Sequence, residues 1–178
     1  MATRTRNELI KALTHVGYEL AMTAAVLRRL AQLGHSSGVS PDKVATNAYL
    51  ESMLLHLRSL TDFFVRIRGQ STDIHRDDFL QGWQPAPAAE VRRAAGRYKA
   101  LNKHLSHLTW ERVAAGNQQW DVLAALTDIV HIADDWSKHL DVSNHDLYLV
   151  IRPFVNDALQ VVQHLSRPPV IKVVTTTN

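Results

Sequence analysis

The segment from Ser40 to Arg68 has the most continuous apolar pattern of the chain. At 100° per residue, its apolar side chains form one broad stripe, and further apolar residues lie outside that stripe. The members of the stripe are Tyr49, Leu50, Met53, Leu57, Leu60, Phe64 and Ile67. A helix that is apolar on so many sides belongs inside a bundle, so the sequence predicts that the rest of the chain packs around it. Ser40 and Pro41 suit its first turn, and Gly69 suits its end.

Helical periodicity recurs in four further segments. The predicted helices run from about Asn7 to Gly34, from 87 to 108, from 118 to 140, and from 153 to 165. The helix at 118–140 has acidic and histidine side chains opposite its apolar stripe, so we expect it to be half solvated. Together the patterns predict an all-α fold, an up-down bundle of four long helices plus a fifth, C-terminal helix.

Three segments interrupt this helical pattern. Residues 70–87 contain polar clusters, one Gly and two Pro, and they predict an irregular but ordered loop. Its expected anchors are Ile74, Phe79, Leu80 and Trp83. The run LYLVI at 147–151 fits either a strand or a helix. Residues 167–178 contain two adjacent prolines followed by β-branched residues, which predicts a C-terminal tail.

Composition narrows the class of protein. The chain has 178 residues, of which 46% are hydrophobic, and this suits a single bundle domain over 1–166. Its 20 basic and 17 acidic residues are spread along the chain, so the charge pattern marks no face for nucleic acid or membrane. The absence of cysteine excludes disulfides and thiolate chemistry. Without a signal-peptide pattern or an apolar run of transmembrane length, we expect a cytoplasmic protein with no membrane partner.

Polar residues of the central predicted helix are the first candidates for chemistry. Glu51, Arg58 and Asp62 lie within about 40° of one another on the helical projection. An Arg and an Asp four residues apart can pair on a helix, and Glu51 can reach the same guanidinium. An exposed line would be a solvated surface of little energetic weight, whereas a buried line would mark a site or an interhelical network. The sequence leaves both interpretations open.

A second candidate group lies at 100–109, in the run ALNKHLSHLT, where His104 and His107 follow Asn102. Two histidines three residues apart are compatible with zinc, nickel or iron if another helix adds a carboxylate or a histidine. Solvated or capping histidines are the ordinary alternative. The chain lacks the paired Glu-x-x-His motifs of di-iron bundles, and we assign no metal ligand and no cofactor.

Two further groups have an ordinary structural explanation. Asp135 and His139 are four residues apart and fit either a divalent-ion clip or an ion pair on the helix surface. The surface pair is favoured because both lie opposite the apolar stripe of their helix. Four tryptophans could stack on nucleic-acid bases, but anchoring of the core and loops is the preferred interpretation. They are Trp83, Trp110, Trp120 and Trp136.

Two stretches of the sequence resemble known proteins. LESMLLHLRSLTDFF at 50–64 and NKHLSHLTWERV at 102–113 are similar to the signature stretches of a family of small, all-helical bacterial proteins without an established activity. The second stretch also resembles the Arg-Asn-Lys-x-x-Ala-His segment of abortive-infection members of the HEPN superfamily. Those proteins are helical bundles in which an Arg-x4-6-His motif cleaves RNA without a metal.

The match to the HEPN segment is incomplete. The matching residues are Asn102, Lys103 and His107. Leu101 stands where the arginine of the segment would be, and a guanidinium there would stabilise the charge that develops on the phosphate. His107 can still act as a general acid or base. Arg97 and His104 also fit the loosest spacing of the motif.

The leading functional expectation is a degenerate HEPN-like, RNA-associated or interaction module that forms a homodimer. One alternative is a metal-independent ribonuclease, with His107 or His104 as the acid-base and Arg58 or Arg97 as the phosphate contact. The other alternative is a divalent-metal-binding bundle. The candidate catalytic residues are His107, Arg58 and Asn102, and the candidate binding residues are Glu51, Asp62 and His104. The sequence does not decide whether the protein is an enzyme.

Overall fold

The computed structural model describes residues 4–35, 43–66, 70, 72–106 and 120–166. Five α-helices lie within them: α1 Arg6–His35, α2 Lys43–Phe64, α3 Ala88–Ser106, α4 Val122–Ser143 and α5 His145–Ser166. No β-strand occurs in these ranges, and the all-α prediction is confirmed. The fifth helix has 22 residues, as many as α2 and α4, because the ambiguous run at 147–151 is helical.

Helix starts follow local sequence signals where the chain is described. Before α1, the backbone N–H of Thr5 donates to Glu8 Oε2 at 2.7 Å, and the backbone N–H of Glu8 donates to Thr5 Oγ1 at 3.3 Å. Before α4, Asp121 Oδ1 accepts from the backbone N–H of the third helical residue at 2.9 Å. The caps predicted for α2, at 40–41 and at 69, lie outside the described residues.

Helix α4 is the centre of the bundle, since it packs against each of the other four helices. Its buried residues are Ala125, Leu126, Asp128, Ile129, Val130, Ile132, Ala133, Trp136, Ser137 and Leu140. They cover an arc of about 200° on the helical projection. The polar side predicted for this helix is solvated at His131 and His139, as expected, whereas Asp128 is buried. The expectation of a central α2 is wrong, because α4 is the helix that packs against all the others. In α2, Val44 and Leu55 are 79% and 50% exposed, because part of that helix faces solvent.

The other helices surround α4. Helix α1 packs between α2 and α5, and α3 packs against α2 and α4. Asn144 alone joins α4 to α5, and its Oδ1 accepts a hydrogen bond from Arg6 of α1 at 2.6 Å. Helices α1 and α5 approach closely at Gly17, where an added Cβ would lie 2.5 Å from the ring of Phe154. A larger residue there would force the two helices apart.

In the described part of the loop between α2 and α3, the chain is irregular apart from a 3-10 turn at Arg76–Asp78, as the sequence predicts. Phe79 and Trp83 are 7% and 5% exposed, whereas Ile74 is 44% exposed and does not anchor the loop. The indole N–H of Trp83 donates to Asp135 Oδ2 of α4 at 3.1 Å. This bond and the buried aromatic rings hold the loop against the bundle.

The predicted tail at 167–178 lies outside the described residues, and so does the predicted domain boundary beside it. In the ranges that the structure covers, no helix combines the length and the apolar character needed to cross a bilayer.

Candidate functional site on helices α3 and α4

Asp128 of α4 is a buried carboxylate with a side chain that is only 4% exposed. Arg93 of α3 donates to both of its oxygens: Nε lies 3.1 Å from each, and Nη2 lies 2.5 Å from Oδ1. Arg97, one turn further along α3, donates through Nη2 to Oδ2. Two guanidinium groups therefore hydrogen-bond the carboxylate, and this compensates the cost of burying its charge.

The carboxyl group of Asp128 stays ionised at neutral pH. Burial by itself would raise its pKa, but the hydrogen bonds and positive charges of Arg93 and Arg97 outweigh burial and hold the pKa below its ordinary value. The hydrogen bond to Asp128 is also the main reason that the pKa of Arg93 is raised. The cluster therefore remains an ion group over the whole physiological range.

The cluster extends to the surface through Glu90 and His131. Glu90 Oε1 lies 3.5 Å from Arg93 Nη2 and 3.8 Å from His131 Nδ1. The side chains of Arg93 and His131 are 52% and 48% exposed. One end of the group is thus closed by α4, and the other end faces solvent.

A cavity of about 440 Å³ opens beside Arg93 and Arg97, between α2, α3 and the first turn of α4. Most of its wall is apolar, and the larger apolar lining residues are Leu54, Leu57, Leu101, Trp120 and Val122. Gly96 lies at its edge, where an added Cβ would meet no heavy atom within 4 Å. The volume is in the range that small organic ligands occupy in proteins.

The outer surface of α3 is basic. The helix contains five basic residues and one acidic residue. Arg92 and Lys99 are exposed on the side opposite to the buried Ala94 and Leu101. Within the described ranges, no hydrogen bond or ion pair links Arg92 or Lys99 to another residue. Both charges are therefore available to a partner.

The polar line predicted on α2 lies near the surface. Glu51 is exposed, and the side chains of Arg58 and Asp62 are 35% and 38% exposed. Arg58 Nε lies 4.0 Å from Asp62 Oδ2, whereas Arg66 Nη1 lies 2.8 Å from Asp62 Oδ1. Arg66 Nη1 also donates to the hydroxyl of Tyr98 on α3 at 2.7 Å. The polar connection between α2 and α3 thus runs through Asp62, Arg66 and Tyr98, and Glu51 stays on the solvent side.

The candidate residues at the end of α3 are described only in part. Asn102 is partly buried on α3. The side chain of His104 and all of His107 lie outside the described residues, so their meeting with Arg58 stays a prediction. In the described part of the chain, no group of three or more His, Asp and Glu side chains is arranged to hold a metal ion.

Asp135 and His139 are only loosely paired, with 3.9 Å between His139 Nδ1 and Asp135 Oδ1. His139 is 56% exposed, while the other carboxylate oxygen of Asp135 accepts hydrogen bonds from the loop at Trp83 and Ala86.

The tryptophans of the sequence differ in burial. Trp136 is completely buried and Trp120 is partly buried. Trp110 lies outside the described residues.

Sequence reasoning missed the cluster around Asp128. The periodicity of α4 placed Asp128 on its polar side with His131, and that side was assigned to solvent. Packing of α3 covers Asp128 instead, while His131 stays 48% exposed. A signal was present, since Arg93 and Arg97 are four residues apart on one helix face. Two cations on one face could have suggested a carboxylate partner on a neighbouring helix.

No protein-family model matches this chain, and no curated protein or solved structure matches it either.

Proposed function

We propose that this protein is an RNA-associated helical module that binds the phosphate backbone of single-stranded RNA with the outer surface of α3. The observation that carries the proposal is the charge of that surface, where Arg92 and Lys99 are exposed on a helix with five basic residues and one acidic residue. Lys and Arg contacts to phosphates supply most of the affinity in binding that does not depend on sequence. A basic helix at the edge of a bundle suits this mode of binding.

The cluster around Asp128 supports the same surface. Asp128 holds the guanidinium groups of Arg93 and Arg97, so these side chains lose less freedom when a partner binds. Arg93 is still 52% exposed, and its outer edge can face a phosphate. Arg92 and Lys99 are separated by about 10 Å along the helix axis, which allows them to contact different phosphates of one strand.

In this function the protein resembles the HEPN superfamily as an RNA-binding bundle but does not cleave RNA. The resemblance at 102–113 favours an RNA-associated bundle, while Leu101 in the place of an arginine argues against cleavage. The ribonuclease alternative requires His107 or His104 as the acid-base. An RNA partner also fits the cytoplasmic location expected from the sequence.

Self-association as a homodimer is part of the proposal. Tyr18 of α1 and Leu55 of α2 are 52% and 50% exposed. The ring of His56, the neighbour of Leu55, lies edge-on to Tyr18 with 6.0 Å between the ring centroids. Exposed apolar side chains on two adjacent helices provide a contact that a second copy can cover.

Fluorescence anisotropy with a short, labelled, single-stranded RNA tests the proposal. We expect binding that weakens as salt rises, because counterions are released from the RNA. The double variant R92E/K99E should bind about tenfold or more weakly at low salt and should show a shallower salt dependence. The matched control is K11E/K43E, which makes the same change in net charge at exposed residues of α1 and α2.

Equal weakening in both double variants would contradict a binding surface on α3. The same samples, kept in EDTA, report on RNA integrity: cleavage that disappears in His107→Ala would favour the ribonuclease alternative over simple binding. Sedimentation equilibrium of the same protein gives its oligomeric state, and a monomer at all concentrations would remove the homodimer from the proposal.

A further inference from the structure

The cavity between α2, α3 and α4 has features that backbone contacts to RNA would not use. It offers about 440 Å³ with a mainly apolar wall, and Arg93 and Arg97 stand at its side. We infer that it binds a small amphipathic carboxylate, with the apolar part inside the cavity and the carboxylate on Arg97. Arg92 and Lys99, the main RNA contacts of the proposed function, do not line the cavity, whereas Arg93 borders both surfaces.

Arg97 provides the contact for the head group. Its Nη2 is bonded to Asp128, and among the described residues its other N–H groups meet no acceptor. The side chain is 27% exposed, so these donors are reachable from the cavity. A guanidinium binds a carboxylate well, because its planar donors match the two carboxylate oxygens.

The acidic groups near the cavity are already engaged. Asp128 is bonded to both guanidinium groups. Asp121 also lines the cavity, but its Oδ1 accepts from the backbone N–H of Ala124 at the positive end of α4. A ligand entering the cavity therefore meets unused donors, which favour an acceptor head group over an ammonium group.

Gly96 is an exposed residue of the cavity lining. Glycine inside a helix is unfavourable compared with alanine, and here no packing contact requires it. An added Cβ would have no heavy atom within 4 Å. A larger side chain at Gly96 can therefore occupy the cavity edge without displacing the bundle.

Isothermal titration calorimetry with octanoate, octanol and octylamine tests the inference. The three probes share one alkyl chain and differ in the head group. We expect one octanoate per chain, bound at least about tenfold more tightly than octanol because of the charge-assisted bond to Arg97. Octylamine should bind more weakly than octanol.

Two leucine variants on α3 locate the binding. Gly96→Leu should weaken octanoate binding about tenfold or more, because the new side chain fills the cavity edge. Ala95→Leu is the matched control, since Ala95 is exposed and does not line the cavity. It should keep the wild-type affinity. Thermal unfolding followed by circular dichroism verifies that both variants fold.

Arg97→Gln tests the head-group contact and should reduce the affinity for octanoate to that for octanol. R92E/K99E, in contrast, should bind octanoate like the wild type, which separates this site from the RNA surface. Any one of three results would overturn the inference: no octanoate binding, equal binding of the three probes, or equal octanoate affinity in Gly96→Leu and Ala95→Leu. A preference for octanoate that survives in Arg97→Gln would overturn the role of Arg97.

Discussion

Asp62 of α2 and Asp128 of α4 each lie between two arginines, but their surroundings are opposite. Asp62 pairs with Arg58 and Arg66 from its own stretch of chain, and its side chain is 38% exposed. Asp128 pairs with two arginines from a neighbouring helix, and its side chain is 4% exposed. Exposed ion pairs between residues that are close in the sequence contribute little. A pair between helices closes an interface, so losing one partner leaves a charge uncompensated.

The largest expected effect is the difference in stability between Asp128→Asn and Asp62→Asn. The first change removes the carboxylate that pairs with Arg97 and leaves Arg93, among the described residues, with only Glu90, at 3.5 Å, as a counter-charge at the α3–α4 contact. Because the two guanidinium groups are partly exposed, water compensates some of the loss, and we expect the free energy of unfolding to fall by about 2–4 kcal/mol. Asp62→Asn should lower it by about 0–1 kcal/mol.

Urea unfolding followed by circular dichroism measures both variants. The two substitutions are chemically identical. A difference of less than about 1 kcal/mol between the two losses of unfolding free energy would therefore show that the burial of Asp128 adds nothing to its effect on stability.

The pH dependence of stability sharpens the comparison. The pKa of Asp128 in the folded protein is held below its ordinary value of 3.8. As pH falls, this carboxyl group is therefore protonated at a higher pH in the unfolded chain than in the folded protein. The contribution of Asp128 is fully present above about pH 5 and is lost as pH falls through 3.8 toward the lower folded pKa. Wild-type protein should therefore lose stability below about pH 5 more steeply than Asp128→Asn.

Urea unfolding at a series of pH values tests this. The pKa values of Glu8 and Asp134 are also lowered, but both residues are present in the wild type and in the variant. The difference between the two curves isolates Asp128, and parallel curves would contradict the assignment.

Asp135 provides an intermediate case. Its side chain is 20% exposed, and it accepts from Trp83 Nε1 at 3.1 Å and from the backbone N–H of Ala86 at 3.3 Å. Asp135→Ala should cost about 1–2 kcal/mol through these two bonds and shift tryptophan fluorescence to longer wavelength as Trp83 gains contact with water. His139→Ala removes an exposed side chain on the same helix and should cost less than about 0.5 kcal/mol. Equal losses of stability in the two variants would contradict the role of the Asp135 hydrogen bonds in holding the loop against α4.

Local sequence patterns predict the helices and much of the core. Met53, Leu57, Leu60 and Phe64 belong to the apolar stripe predicted for α2, and all four are buried. These assignments depend only on spacings of three and four residues, which place side chains on one helix face whatever the neighbours are. The start of α4 is local in the same way, since Asp121 caps it three residues away.

The candidate site was far less accessible from the sequence. Periodicity identified polar residues on α2 and α3, but it gave no means to rank Glu51, which is exposed, below Asp128, which is buried. A helical projection describes the faces of one helix and contains no information about which face another helix covers.

The sequence by itself determined an all-helical chain with defined apolar stripes, because hydrogen bonding and side-chain spacing within a helix are local. Only the tertiary structure decided that α4 is central and that Asp128 is buried. The reason is that burying a carboxylate is favourable only with compensating donors, and these come from Arg93 and Arg97, which are 35 and 31 residues away in the chain. Contacts over that distance are set by how the helices pack.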